Sequence, residues 1–147
     1  YMRYNMRSQT FAKSLPMPIV IGALKRLEMI RTMPELSQKL WTITNALQSG
    51  LREAGLDLGD TNSCVTPVYM KGGVAEATNV IIDLRENNGI FCSIVVYPVI
   101  PKDMILLRLI PTAVHTMDDV NYTVKNFKTV KEKMAAGHYR SETVASM

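Results

Sequence analysis

One guanidinium carries the strongest chemical signal in this chain. Met104-Ile105-Leu106-Leu107 runs without a charge into Arg108, and the chain is apolar again at Leu109-Ile110. An unpaired cation is costly to bury, so Arg108 either lies on an exposed strand face, closes an internal ion pair, or meets an anion brought to it. Its planar fork suits a carboxylate or phosphate held by two parallel hydrogen bonds. Spacing alone leaves these options open. His115, just before a helix start, reads as a residue that positions the Arg108 strand by hydrogen bonding, with charge tuning as the alternative. Lys13, within Thr10-Phe11-Ala12-Lys13-Ser14, is a second cation of interest. Ser14 beside it serves equally as a hydroxyl donor or a helix cap. Lys71-Gly72-Gly73 has only the outline of a phosphate cradle, and two adjacent glycines before a helix read as a plain turn. Cys64 and Cys92 have no second cysteine or histidine at ligand spacing, so no metal is expected. They read as small core residues of a reduced, cytoplasmic protein.

The elements that must position these groups follow from periodicity. Leu24, Leu27 and Ile30 recur on one helical face. Thr32-Met33-Pro34-Glu35 has the form of a capping box, with Thr32 as N-cap and Pro34 in the first turn. Leu36, Leu40, Ile43, Leu47 and Leu51 stripe a second helix that Gly55 ends, and Trp41 beside the stripe reads as a core or interface anchor. A short strand over 63–69 contains Pro67, which cannot donate to a ladder, so the strand runs at a sheet edge or leaves the sheet there. Val74, Ala77, Ile81 and Leu84 define a helix closed by Asn87-Asn88-Gly89. The run 90–96 is apolar almost throughout, which suits a strand buried on both faces. A loop over 97–103 returns the chain into the Arg108 strand at 104–110. Thr116 and Asp119 form a capping box for a last helix whose apolar face is Val120, Val124, Phe127, Val130 and Met134. That helix ends at Ala136-Gly137, and 138–147, with His138, reads as a tail. The pattern predicts an α/β small domain: a three-stranded, mainly antiparallel sheet packed by helices and preceded by a helical pair.

Composition sets limits. A chain of 147 residues with 47% hydrophobic content can form one domain with its own core. The net charge of +4 is modest, and its basic residues neither form a block nor alternate with aromatics, so a nucleic-acid partner is not expected. No stretch approaches the ~20 apolar residues of a membrane span, and no signal peptide is visible. A membrane partner is therefore not expected either. The opening Tyr1-Met2-Arg3 reads as the start of a fragment of something longer.

Taken together, Gly89, Tyr97-Pro98, Pro101, Arg108 and Ala113-Val114-His115-Thr116 resemble the C-terminal domain of the α-oxoamine synthases. These are pyridoxal-phosphate (PLP) enzymes of aminotransferase fold type I that condense an amino acid with an acyl-CoA. The resemblance runs to about Gly137. It implies that 1–56 is the end of a large domain with connecting helices, that 57–137 is the C-terminal small domain, and that an N-terminal large domain is missing. It also implies a homodimer, amino-acid and acyl-CoA substrates, and Arg108 as the residue that binds the amino-acid carboxylate. Thr10-Phe11-Ala12-Lys13-Ser14 looks like the family's Schiff-base lysine run, but Pro16-Met17-Pro18 follows it where that run continues into a glycine-rich loop. It matches better a later family segment that reaches the PLP phosphate of the neighbouring subunit. That role falls on Ala12, through its backbone N–H, and on Lys13 as a point charge; a solvated lysine at a helix entry is the alternative. No catalytic residue is then expected in this chain, which alone is predicted inactive. Among members, Tyr97-Pro98-Val99-Ile100-Pro101 is close to the glycine C-acetyltransferases (2-amino-3-ketobutyrate CoA ligases). Leu106, where several members carry a second arginine, is closer to serine palmitoyltransferase, and 8-amino-7-oxononanoate synthase is a further alternative. The reading of a different class is a non-catalytic dimerisation or scaffold fragment.

Overall fold

The structure is a computed structural model and describes residues 1–140. The chain divides into two compact units, Tyr1–Ser37 and a second that begins at Gln38. The first contains two single helical turns, α1 (Met2–Asn5) and α2 (Arg7–Thr10), and the helix α3 (Met17–Thr32). None of these three buries a side chain, and Leu24, Leu27 and Ile30 of the expected stripe are all exposed. The expected capping box at Thr32 does not form. Thr32 is still helical and its Oγ1 donates to the Glu28 carbonyl at 2.9 Å. The break falls one residue later, at Met33 (φ −124°, ψ 67°), because the residue before a proline is driven out of the helical region. Pro34 then opens α4 (Pro34–Glu53) at the position where its missing N–H costs nothing.

In the second unit the sheet order is β1-β3-β2, and both pairings are antiparallel: β1 (Thr66–Lys71), β2 (Ser93–Val95) and β3 (Met104–Leu109). Side chains alternate along a strand, so Ile105, Leu107 and Leu109 of the central strand face inward and are buried. They join Val68 from β1, Ile43, Leu47 and Leu51 from α4, Ala77 and Val80 from α5 (Val74–Ile82), and Val120, Phe127 and Val130 from α6 (Met117–Ala135) in one core. Pro67 does lie on an edge strand. The expectation for 90–96 needs correction. Only Ser93–Val95 is strand, it is the other edge, and all three of its residues are half-buried. The π-helical turn Asp83–Asn87 at the end of α5 explains the shortening, since Ile90 N–H donates back to the Leu84 carbonyl at 2.8 Å and leaves Phe91 78% exposed.

Long-range capping fixes the helices on this sheet. Gly55 turns with φ +73° after α4, and Lys131 Nζ of α6 donates to the carbonyls of Ala54 and Gly55 at 3.2 and 2.6 Å. A cation there suits the negative end of the helix. The box at the start of α6 forms as expected, with Asp119 N–H on Thr116 Oγ1 and Thr116 N–H on Asp119 Oδ2. Past Gly137, where the sequence reading begins a tail, Tyr139 is 6% exposed and its hydroxyl donates to Asp83. The remainder of that tail, 141–147, lies outside the described residues.

Candidate functional site

Arg108 sits on the central strand, opposite Pro67 of β1 and Ser93 of β2. By the same alternation it shares the outer face of the sheet with Met104 and Leu106, away from the core. Its side chain is exposed, and Nε donates to Ser93 Oγ at 2.9 Å. Among the described residues no carboxylate lies within 4.0 Å of the guanidinium, so the internal ion pair left open by the sequence is not made there. What remains is a cation fixed at one nitrogen by a neutral hydroxyl, with the other two nitrogens able to take both oxygens of a carboxylate. The surroundings are apolar. Leu106 is half-buried beside it on the same face, flanked across the ladder by Tyr69 and Val95. Ser93 carries no signal of its own in the sequence, because its pairing with Arg108 depends on the register between β2 and β3.

Ala12 and Lys13 belong to the first unit, in the segment between α2 and α3, and both are exposed. Ser14 does not cap α3, whose N-cap is Pro16 without a side-chain bond. Among the described residues, neither the backbone N–H groups of Ala12 and Lys13 nor the Lys13 ammonium and Ser14 hydroxyl have a partner. Two amides, an ammonium and a hydroxyl in consecutive residues are a donor set that fits a phosphate group.

His115 does not bond the Arg108 strand, which corrects the expectation. Its Nδ1 accepts from Thr112 N–H at 2.9 Å, with Thr112 Oγ1 also at 2.9 Å, so it ties together the turn into α6. In the neutral ring that bond leaves the proton on Nε2. The imidazole lines a cleft of about 460 Å³ with Ile43, Leu47, Phe91, Leu109 and Tyr122, and Arg108 is not among its walls. Asp119 at its rim is held below the usual carboxylate range by the backbone and hydroxyl of Thr116, and so is committed to the cap. Cys92 is buried, which pushes its thiol up to about 11 and leaves it unreactive at neutral pH; both cysteines are free. No described helix is long and apolar enough to cross a membrane.

No family model matches the chain. It is 60% identical over 141 residues to a cysteate-C-fatty acyltransferase of Capnocytophaga ochracea, across 96% of this chain and 34% of that protein. It is 32% identical over 130 residues to a serine palmitoyltransferase of Sphingobacterium spiritivorum, across 88% of this chain and 32% of that protein. A solved serine palmitoyltransferase from Sphingomonas wittichii superposes with a TM-score of 0.80 at 26% identity, covering 95% of this chain and 34% of that one. The chain thus spans about a third of the length of the relatives it matches.

Proposed function

We propose that this chain, which belongs to the PLP-dependent α-oxoamine synthase family and is a C-terminal portion of such an enzyme, supplies the carboxylate grip for joining an amino acid to a fatty acyl-CoA. The observation that carries the proposal is the Arg108 guanidinium, anchored by Ser93 on the outer face of the sheet and without a carboxylate among the described residues. An acid group docked there gains two charge-assisted hydrogen bonds and is oriented by them. Ala12 and Lys13 would hold the phosphate of PLP bound in the neighbouring subunit of a homodimer. PLP, when bound, supplies the electron sink for loss of a proton or of carbon dioxide from the amino acid's α-carbon. The catalytic lysine lies in the large domain, outside residues 1–147. A cytoplasmic location goes with this reading.

Relatives named for fatty-acyl and palmitoyl transfer favour a long acyl chain, and so does Leu106, which puts an apolar side chain beside Arg108. The second reading, glycine with acetyl-CoA, is favoured by Tyr97-Pro98-Val99-Ile100-Pro101. One set of assays on the intact protein tests both. Arg108→Ala is expected to raise the amino-acid KM by about 10- to 100-fold, the worth of a charged hydrogen-bond pair, with PLP content unchanged. Palmitoyl-CoA is expected to outrun acetyl-CoA in the same assay. An unchanged KM returns Arg108 to a purely structural role, and a preference for acetyl-CoA returns the acetyltransferase reading.

A further inference from the structure

We propose that Ser93 is a positioning residue for substrate binding, one that selects which edge of the Arg108 fork the amino-acid carboxylate can use. The inference rests on the assignment of Arg108 to that carboxylate. A guanidinium has two edges able to take a carboxylate by parallel bonds, one formed by Nε with one terminal nitrogen and one formed by the two terminal nitrogens. The Ser93 hydroxyl accepts from Nε at 2.9 Å and so occupies the first edge. The contact follows from the fold. Ser93 and Arg108 are direct partners across β2 and β3, on the same face, and opposed side chains on neighbouring strands lie about 5 Å apart at Cβ. Only the end-on edge is left for a ligand, and its direction is set by a bond made before the ligand arrives.

The residue type matters as much as the place. A hydroxyl fixes the guanidinium without cancelling its charge, whereas a carboxylate at position 93 would close an ion pair and occupy the cation. Alanine would leave the long side chain to be ordered by the ligand itself, which weakens binding. An effect confined to the amino acid is therefore expected, without loss of cofactor or of acyl-CoA affinity.

The test uses the intact enzyme with Ser93→Ala, Ser93→Thr, Ser93→Asp, Arg108→Ala and the Ser93→Ala/Arg108→Ala double variant. Measured are the amino-acid KM, kcat, the acyl-CoA KM and PLP content, with thermal melting to confirm folding. Ser93→Ala is expected to raise the amino-acid KM about five- to tenfold with the other parameters near wild type, since one neutral-acceptor bond is lost. Threonine, which keeps the hydroxyl and suits a strand, restores the wild-type KM. Aspartate approaches the loss seen for Arg108→Ala, and the double variant is no worse than Arg108→Ala alone. A wild-type KM for Ser93→Ala beside a raised KM for Arg108→Ala overturns the role of Ser93 and leaves that of Arg108 standing. Failure of threonine to rescue, or a further loss in the double variant, also overturns it, because the effect then does not pass through the hydroxyl bond. A wild-type KM for Arg108→Ala removes the carboxylate assignment itself.

Discussion

Asp83 shows how much a single residue can hold in this domain. Its carboxylate accepts from Lys133 Nζ at 2.7 Å, from the Tyr139 hydroxyl and from the Asn87 amide, and it is 8% exposed. The Lys133 and Tyr139 hydrogen bonds, in that order, outweigh burial and bring its pKa to about 2, against an ordinary 3.8. The carboxylate is therefore more acidic folded than unfolded, so its contribution is complete above about pH 4 and is lost as pH falls toward 2. Lys133 is 40% exposed, which discounts the pair to about 1–2 kcal/mol. Asp83→Asn is expected to be less stable than wild type by about that amount at neutral pH, the gap closing toward pH 2. Urea unfolding of both proteins across that range checks it, and a gap independent of pH sinks the carboxylate's role. Lys133 and Tyr139 stand 50 and 56 positions along the chain from Asp83, and Ser93 stands 15 before Arg108. Sequence spacing therefore displayed the cation of the candidate site but not the hydroxyl that holds it.

At the scale of elements, the seam between α4 and α6 is set by a missing side chain. A Cβ built on Gly50 would stand 2.8 Å from Val124 Cγ2 and 3.5 Å from Cγ1. Glycine lets the two helices approach there, with Lys131 fastening the end of α4. Alanine inside a helix normally gains about 1 kcal/mol over glycine, but overpacking costs about 1–3 kcal/mol and valine has little rotamer freedom with which to yield. Gly50→Ala is expected to lose about 1 kcal/mol in chemical unfolding, and less in a Val124→Ala background. Stabilisation by Gly50→Ala in both backgrounds contradicts a close seam. Periodicity did reveal these helices: Ile43, Leu47 and Leu51 on one and Val120, Phe127 and Val130 on the other are buried as their spacing implies. Strand limits were less visible. The run 90–96 looks uniformly apolar, yet a backbone bond from Ile90 to Leu84 removes its first residues from the ladder.

At the scale of the whole molecule, the two compact units differ in what each buries. The unit from Gln38 on holds every residue of the core, while no side chain of Tyr1–Ser37 is buried and Phe11, Leu15, Ile19 and Ile30 stand 54–75% exposed. So many large apolar groups left in water mark a surface suited to covering by more protein. Lys13 lies among them, on an exposed segment with donors for a phosphate but no enclosing wall in its own unit. Such an amine is open to water and is no better placed to hold an aldehyde than any other surface lysine, whereas a cofactor lysine works inside a site that holds ring and phosphate together. The chain 1–147 alone, mixed with PLP and reduced with borohydride, is therefore expected to show scattered, substoichiometric labelling of its lysines by peptide mass analysis. The longer enzyme proposed above is expected to take its single label on a lysine outside residues 1–147. One label per chain at Lys13 would make that residue the cofactor's anchor and place the catalytic lysine within these residues.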